Sequence, residues 1–315
     1  MDRRFLTRFC PYRASNWAVR INPPARQALL LLLALGLVAA CGGSAASATP
    51  TPTPSAGPWT SGSFNVNGQV RMYTLYRPPS IDAREHAPLV MLLHPCPGTA
   101  DQASLSASHF GDVADAGKFF VVAPQGIGGC WNAGSCCSAA DDVTFVSRLI
   151  DRLAKDLSLD RARIFVAGLS NGGAMAYRLA CELSSKIAGI ASVSGAMLTG
   201  NCHPARPVSV LIMHGTADDV YPYNGGGQYN APSVTSVVQE WTTLDGCSGS
   251  PTQTESGITK TSEWHTCTAG AFVKVETIAG GAHAWFGLTD PTPLPNEPQA
   301  STEVWQFFSQ LRPSA

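Results

Sequence analysis

Ser170 lies in Gly168-Leu169-Ser170-Asn171-Gly172, between an apolar run, Ile164 to Ala167, and a stretch from Ala174 rich in good helix formers. A serine at a strand-to-helix turn can act as a nucleophile. The glycines permit a sharp turn, the hydroxyl is presented outward, and the backbone N–H of Asn171 at the helix start can face a developing oxyanion. Such a nucleophile needs a base and a group that orients the base. Two other apolar runs end in candidates: Val208 to Met213 leads into His214-Gly-Thr-Ala-Asp218-Asp219, and Phe272 to Ile278 leads into Ala279-Gly-Gly-Ala-His283-Ala-Trp285. In this arrangement Ser170 attacks a carbonyl carbon, His283 takes its proton and passes it to the leaving alcohol, and Asp218 holds the imidazole tautomer.

Other residues compete for these roles. Asp219 adjoins Asp218, and periodicity does not separate the two. His265 also follows the acid, but lies beside Trp264 near Cys267; His214 and His94 end core strands and read as structural; Asp290 follows His283 and fits the chain order poorly. No spacing of histidines and cysteines suggests a metal, and no dinucleotide or phosphate loop appears, so no cofactor is expected.

The elements that must position these residues alternate. Ser63 to Val66 and Gln69 to Arg77 flank Asn67-Gly68 and predict an N-terminal hairpin. Strands are expected at Pro88–Leu93, Phe119–Ala123, Ile164–Ala167, Ile187–Val193, Val208–Met213 and Phe272–Ile278. Helices are expected at Asp142–Leu157, from the turn through Leu183, at Val234–Leu244 and at Thr302–Leu311. Short buried strands alternating with helices imply an α/β fold: a mostly parallel sheet covered by helices on both faces, with functional residues at the carboxyl ends of strands. The order Ser, Asp, His is that of the α/β-hydrolase fold.

With 315 residues, 44% hydrophobic and 14% charged, the chain can build a large core, and a net charge of -1 gives no electrostatic case for nucleic acid or anionic membranes. The N-terminus reads as an export signal: arginines from Arg3 to Arg26 precede an apolar run, Ala28 to Ala40, that is short for a membrane span. Small residues before Cys41 resemble a bacterial lipoprotein signal, which implies lipidation of Cys41 and cleavage before it. Simple secretion is the alternative. The expected organisation is a signal peptide over 1–40, a Pro/Thr/Ser/Ala-rich tether over 41–58 and one catalytic domain over 59–315. Membrane contact is expected only through the anchor, at the cell surface or periplasm, and the protein is expected to be a monomer. Eight cysteines remain in the exported domain. Cys247 with Cys267 closes a polar excursion and Cys181 with Cys202 ties the nucleophile helix to the segment before the acid strand; the pairing of Cys96, Cys130, Cys136 and Cys137 stays open.

The sequence resembles the extracellular polyhydroxybutyrate depolymerase-like and feruloyl esterase-like α/β-hydrolase esterases. The resemblance rests on Gly-Leu-Ser-Asn-Gly-Gly-Ala-Met-Ala at 168–176, His-Gly-Thr-Ala-Asp at 214–218, Gly-Gly-Ala-His-Ala-Trp at 280–285, and Cys130-Trp-Asn-Ala-Gly-Ser-Cys-Cys137 followed by Asp141-Asp142-Val-Thr-Phe. It implies a triad of Ser170, Asp218 and His283, favouring Asp218 over Asp219 and His283 over His265. Where the family usually has His-Gly followed by Cys or Gly, this chain has His94-Pro95-Cys96-Pro97-Gly98. Proline has no N–H, which leaves Cys96 as the second oxyanion donor beside Asn171. The expected substrate is a small-molecule or polymeric ester, with feruloyl or acetyl esters of polysaccharide preferred because Asn171 follows the nucleophile as in feruloyl-type members and no polymer-gripping domain is appended. A polyester-oligomer depolymerase is the alternative, and a catalytically silent binding lipoprotein is the reading from a different class.

Overall fold

The computed structural model describes residues 59–82, 85–101, 108–288 and 294–311. The signal and tether expected over 1–58, Cys41 with them, lie outside the described residues, as does Asp290. Among the described residues, no helix is long and apolar enough to cross a membrane.

A ten-stranded sheet runs in the order β1-β2-β4-β3-β5-β6-β7-β10-β9-β8. Its parallel centre comprises β3 (Ala87–Leu93), β4 (Phe120–Pro124), β5 (Leu159–Leu169), β6 (Gly189–Val193), β7 (Ser209–Gly215) and β10 (Val273–Ile278). Every residue of β3, β4, β6 and β7 is buried, which is why these segments read as continuous apolar runs rather than alternating ones. Antiparallel hairpins flank the centre: β1 (Trp59–Val66) with β2 (Gln69–Tyr76), and β8 (Thr252–Ser256) with β9 (Thr259–Trp264). The first turns on Asn67 (φ 50°) and Gly68 (φ 86°), the positive-φ pair that a tight hairpin demands. The second falls in the stretch that the sequence marks only as a polar excursion. All five residues of β8 are exposed, so that strand carries no apolar signal.

Both faces of the sheet are covered. On one side α2 (Asp142–Asp156), α3 (Asn171–Glu182) and α4 (Val234–Leu244) bury Phe145, Leu149, Met175, Tyr177 and Trp241 against Leu89, Val166 and Ile212. On the other, α1 (Phe110–Gly117) and α5 (Ala300–Gln310) bury Phe110, Val304, Phe307 and Phe308 against Val90, Phe165 and Leu211. Alternate residues of one strand thus serve opposite cores, as strand geometry requires. The expected α/β-hydrolase architecture is the one observed.

Among the described residues four cysteine pairs are joined: Cys181–Cys202, Cys247–Cys267 and Cys96–Cys130, which close loops, and the adjacent Cys136–Cys137. The first two are the pairs expected from the sequence, and Cys96–Cys130 joins two of the cysteines whose pairing the sequence leaves open.

Candidate active site

Ser170, Asp218 and His283 follow β5, β7 and β10, which together with β6 form consecutive strands, so all three side chains belong to the carboxyl edge of the sheet. Ser170 caps α3 with φ 57° and ψ -119°, a backbone region that an L side chain rarely adopts. Packing imposes it. A Cβ at Gly168 would collide with the Gly172 carbonyl carbon, and a Cβ at Gly172 would collide with the carbonyl oxygen of Leu93, so helix and strands meet at backbone distance only because both positions are glycine. The Ser170 N–H bonds to Val193 O (3.0 Å), fastening the turn to the end of β6.

The acid and histidine loops are fastened to each other. Thr216 N–H donates to Ile278 O and Ala217 N–H to Gly281 O, both at 2.9 Å, while Gly280 N–H donates to the Thr216 hydroxyl at 2.9 Å. The Ser194 hydroxyl, at the end of β6, donates to Ala284 O (3.0 Å) beside His283. In this frame His283 Nδ1 lies 2.9 Å from Asp218 Oδ2 and 3.1 Å from Oδ1. Asp218 Oδ1 also accepts the N–H groups of Val220 (2.9 Å) and Tyr221 (2.8 Å), and His214 Nε2 lies 3.3 Å from Oδ2 while reaching Tyr221 O at 2.8 Å. Burial alone would raise the Asp218 pKa, but the bonds from His214 and His283 outweigh it and hold the carboxyl well below the usual range. Asp218 is therefore an anion aimed at His283. Ser170 Oγ makes no hydrogen bond to His283 among the described residues, so the acid–histidine half of the constellation is assembled and the serine–histidine contact is not.

The competing residues are placed elsewhere. Asp219 is exposed. His265 pairs with Glu263 (3.4 Å) and stacks on Phe272. His214 buttresses the acid loop, and His94 is fully buried, as their structural reading requires.

Two backbone N–H groups, that of Asn171 next to Ser170 and that of Cys96 in the loop after β3, have no partner among the described residues. Asn171 is the first residue of α3, where a helix leaves its N–H unsatisfied. Its side chain is already engaged: Oδ1 accepts the Trp131 N–H (2.7 Å) and Nδ2 donates to Trp131 O (3.1 Å). Trp131 Nε1 in turn donates to His94 O (2.9 Å), so one tryptophan links the turn after Ser170 to the loop after β3. Beneath it, Arg71 Nη2 meets Asp142 Oδ1 (2.5 Å) in a fully buried ion pair, and Asp142 Oδ2 accepts the Asn132 N–H (2.8 Å). The sequence flags Trp131 and Asp142 within a family motif without revealing these bonds. Gln125, which bonds the same loop, carries no sequence signal at all.

Residues 71–223 match the sequence profile of the family described as Esterase PHB depolymerase. The chain is 32% identical over 229 residues to feruloyl esterase B of Piromyces equi, covering 66% of this chain and 41% of that protein. It is 28% identical to feruloyl esterase D of Neurospora crassa, covering 78% of this chain and 84% of the relative. The chain belongs to this polyhydroxybutyrate depolymerase-like and feruloyl esterase-like family. It spans about two fifths of the Piromyces protein's own length. Among solved structures, the acetyl xylan esterase from Aspergillus awamori superposes with a TM-score of 0.58 at 14% identity over 79% of this chain and 99% of that one, a likeness of fold.

Proposed function

We propose that this chain is an exported serine esterase that hydrolyses feruloyl- or acetyl-type esters of polysaccharide through an acyl-enzyme. The observation that carries the reading is Asp218 bonded to His283 Nδ1 at the same sheet edge as a strained Ser170 turn, with the N–H groups of Asn171 and Cys96 lacking partners among the described residues. A carboxylate on Nδ1 leaves Nε2 as the basic nitrogen of a neutral imidazole. Nε2 takes the Ser170 proton as Oγ adds to the ester carbonyl. The tetrahedral oxyanion is received by the two N–H groups, and the proton then passes to the leaving alcohol as the C–O bond breaks. Water repeats the sequence and releases the acid. The feruloyl and acetyl preference is supported by the names of the relatives, feruloyl esterases B and D and an acetyl xylan esterase. Four disulfides in the folded unit support export, and anchoring through a lipid on Cys41 completes the reading.

A fluorophosphonate probe tests it. Labelling of the wild-type chain that is lost in Ser170→Ala is expected, together with a kcat/KM for methyl ferulate or acetylated xylan above that for 3-hydroxybutyrate oligomers. Labelling elsewhere refutes the nucleophile, and a large preference for the oligomers reverses the substrate assignment.

A further inference from the structure

The loop after β3 holds a donor that no regular structure orients. Asn171 N–H is aimed by the axis of α3, whereas Cys96 N–H sits between two prolines that cannot donate, and the next N–H, that of Gly98, is spent on Gly129 O (2.9 Å). Its direction is therefore decided by the Pro95–Cys96 peptide plane. That peptide is trans, so its C=O and N–H point in opposite directions, and fixing one fixes the other.

The Pro95 carbonyl is fixed. His94 Nδ1 lies 2.7 Å from Pro95 O. At the other ring nitrogen, Gly126 N–H donates to Nε2 at 3.0 Å, and the Gln125 amide nitrogen lies 3.2 Å away. A backbone N–H can only donate, so Nε2 is bare and the ring's proton is on Nδ1, directed at the Pro95 carbonyl. Burial lowers the His94 pKa, which agrees with a neutral ring. The surrounding backbone is built closely around this bond. A Cβ at Gly98 would strike Pro95 O and come within 2.9 Å of His94 Nδ1, and a Cβ at Gly126 would strike Cys130 O and lie 3.2 Å from the imidazole Cε1. Gln125 Oε1 accepts Ala100 N–H (2.8 Å), and the Cys96–Cys130 disulfide ties the loop to the same segment.

We propose that His94 is a positioning residue for ester hydrolysis: by donating from Nδ1 to the Pro95 carbonyl, it holds the Pro95–Cys96 peptide so that Cys96 N–H faces the oxyanion. The role rests on the esterase reading above. It acts through the peptide and touches no substrate, so its loss appears in transition-state stabilisation and leaves ground-state binding unchanged.

The full chain tests this with two amides. His94→Gln places an acceptor toward Gly126 N–H but removes the donor at the Nδ1 position; His94→Asn places an amide N–H near that position. Expected for His94→Gln is a kcat lower by about 10- to 100-fold, up to the lower end of the roughly 10²- to 10³-fold that loss of one oxyanion donor costs, with KM within about twofold. Affinity for a boronic acid that forms a tetrahedral adduct on Ser170 should fall by the same factor, and His94→Asn should recover most of both losses. Wild-type kcat in folded His94→Gln, or a loss confined to KM with boronate affinity intact, overturns the proposal. Nitrogen-15 NMR of the wild-type ring is independent of turnover: a protonated Nδ1 with a bare Nε2 is expected, and the opposite tautomer in an active protein overturns the positioning role alone. A wild-type chain that neither turns over esters nor reacts with the fluorophosphonate overturns the esterase reading, and this role with it.

Discussion

Asp218 accepts hydrogen bonds from two backbone N–H groups and from His283, with a further contact from His214, all groups that stabilise a negative charge. Asp218→Asn replaces that charge with an amide whose nitrogen competes for His283 and favours the wrong tautomer. A fall in kcat of about 10³- to 10⁴-fold is expected, whereas the exposed Asp219→Asn should stay near wild type in the same ester assay. If the damage follows Asp219 instead, the acid is misassigned. Because the folded-state pKa of Asp218 is depressed, its contribution to stability is complete above the unfolded value of about 3.9 and is lost as pH falls through the folded value. The melting-temperature gap between wild type and Asp218→Asn should therefore be flat above about pH 5 and close on further acidification. The turns that carry Ser170, Asp218 and His283 are legible because each lies where an apolar run gives way to a glycine-bearing turn, whereas the choice of Asp218 over Asp219 and of His283 over His265 rests on the family resemblance. The bonds of Gln125 and Trp131 are not, since they join loops that only the folded sheet brings together.

Among the elements, the buried strands announced themselves through continuous apolar sequence, while β8 and the first half of β5 did not. Asp160, Arg161 and Arg163 of β5 are polar and half-buried or exposed, so periodicity marks the strand from Ile164 although its pairing begins at Leu159. Helix α4 ends on a residue with a different cost. Asp245 is fully buried, its Oδ1 accepts the Val208 N–H (3.0 Å), and its Oδ2 has no partner among the described residues. Burial pushes its pKa up to about 7. A carboxyl raised in the folded state is most favourable below the unfolded pKa and becomes a liability as pH climbs to the folded value. Asp245→Asn cannot titrate, so the wild-type melting temperature should drop relative to the variant by a few degrees between about pH 4 and 7 and then run parallel. Thermal melts at four pH values decide it; parallel curves throughout would mean that Asp245 does not titrate there. The pair Arg71–Asp142 binds β2 to α2, and Asp142→Ala should destabilise by about 3–5 kcal/mol in denaturant unfolding because it strands a buried guanidinium. Converting both residues to apolar ones of similar volume should cost less.

At the scale of the whole molecule, the sheet presents its functional edge through loops that are stitched to one another, and its lateral edges end in hairpins. The outermost strand β8 is polar and exposed, a composition that discourages pairing with another sheet. Cys247–Cys267 closes the segment that carries this edge, and replacing both cysteines by serine should cost about 2–4 kcal/mol in chemical denaturation. Attachment through Cys41 is tested separately: Cys41→Ala should abolish incorporation of labelled fatty acid, and undiminished labelling rules the anchor out. The positive φ at Ser170 has a consequence for the protein's history. Packing among Gly168, Gly172 and the end of β3 imposes that conformation whatever residue occupies the position, so a serine there carries strain that a glycine would not. Ser170→Gly should melt above Ser170→Ala, by roughly the 1–2 kcal/mol that relief of such a φ is worth, while turning over no ester. Selection for stability and selection for chemistry thus pull in opposite directions at one codon. In a lineage released from the need to cleave esters, glycine at 170 is the substitution that stability favours.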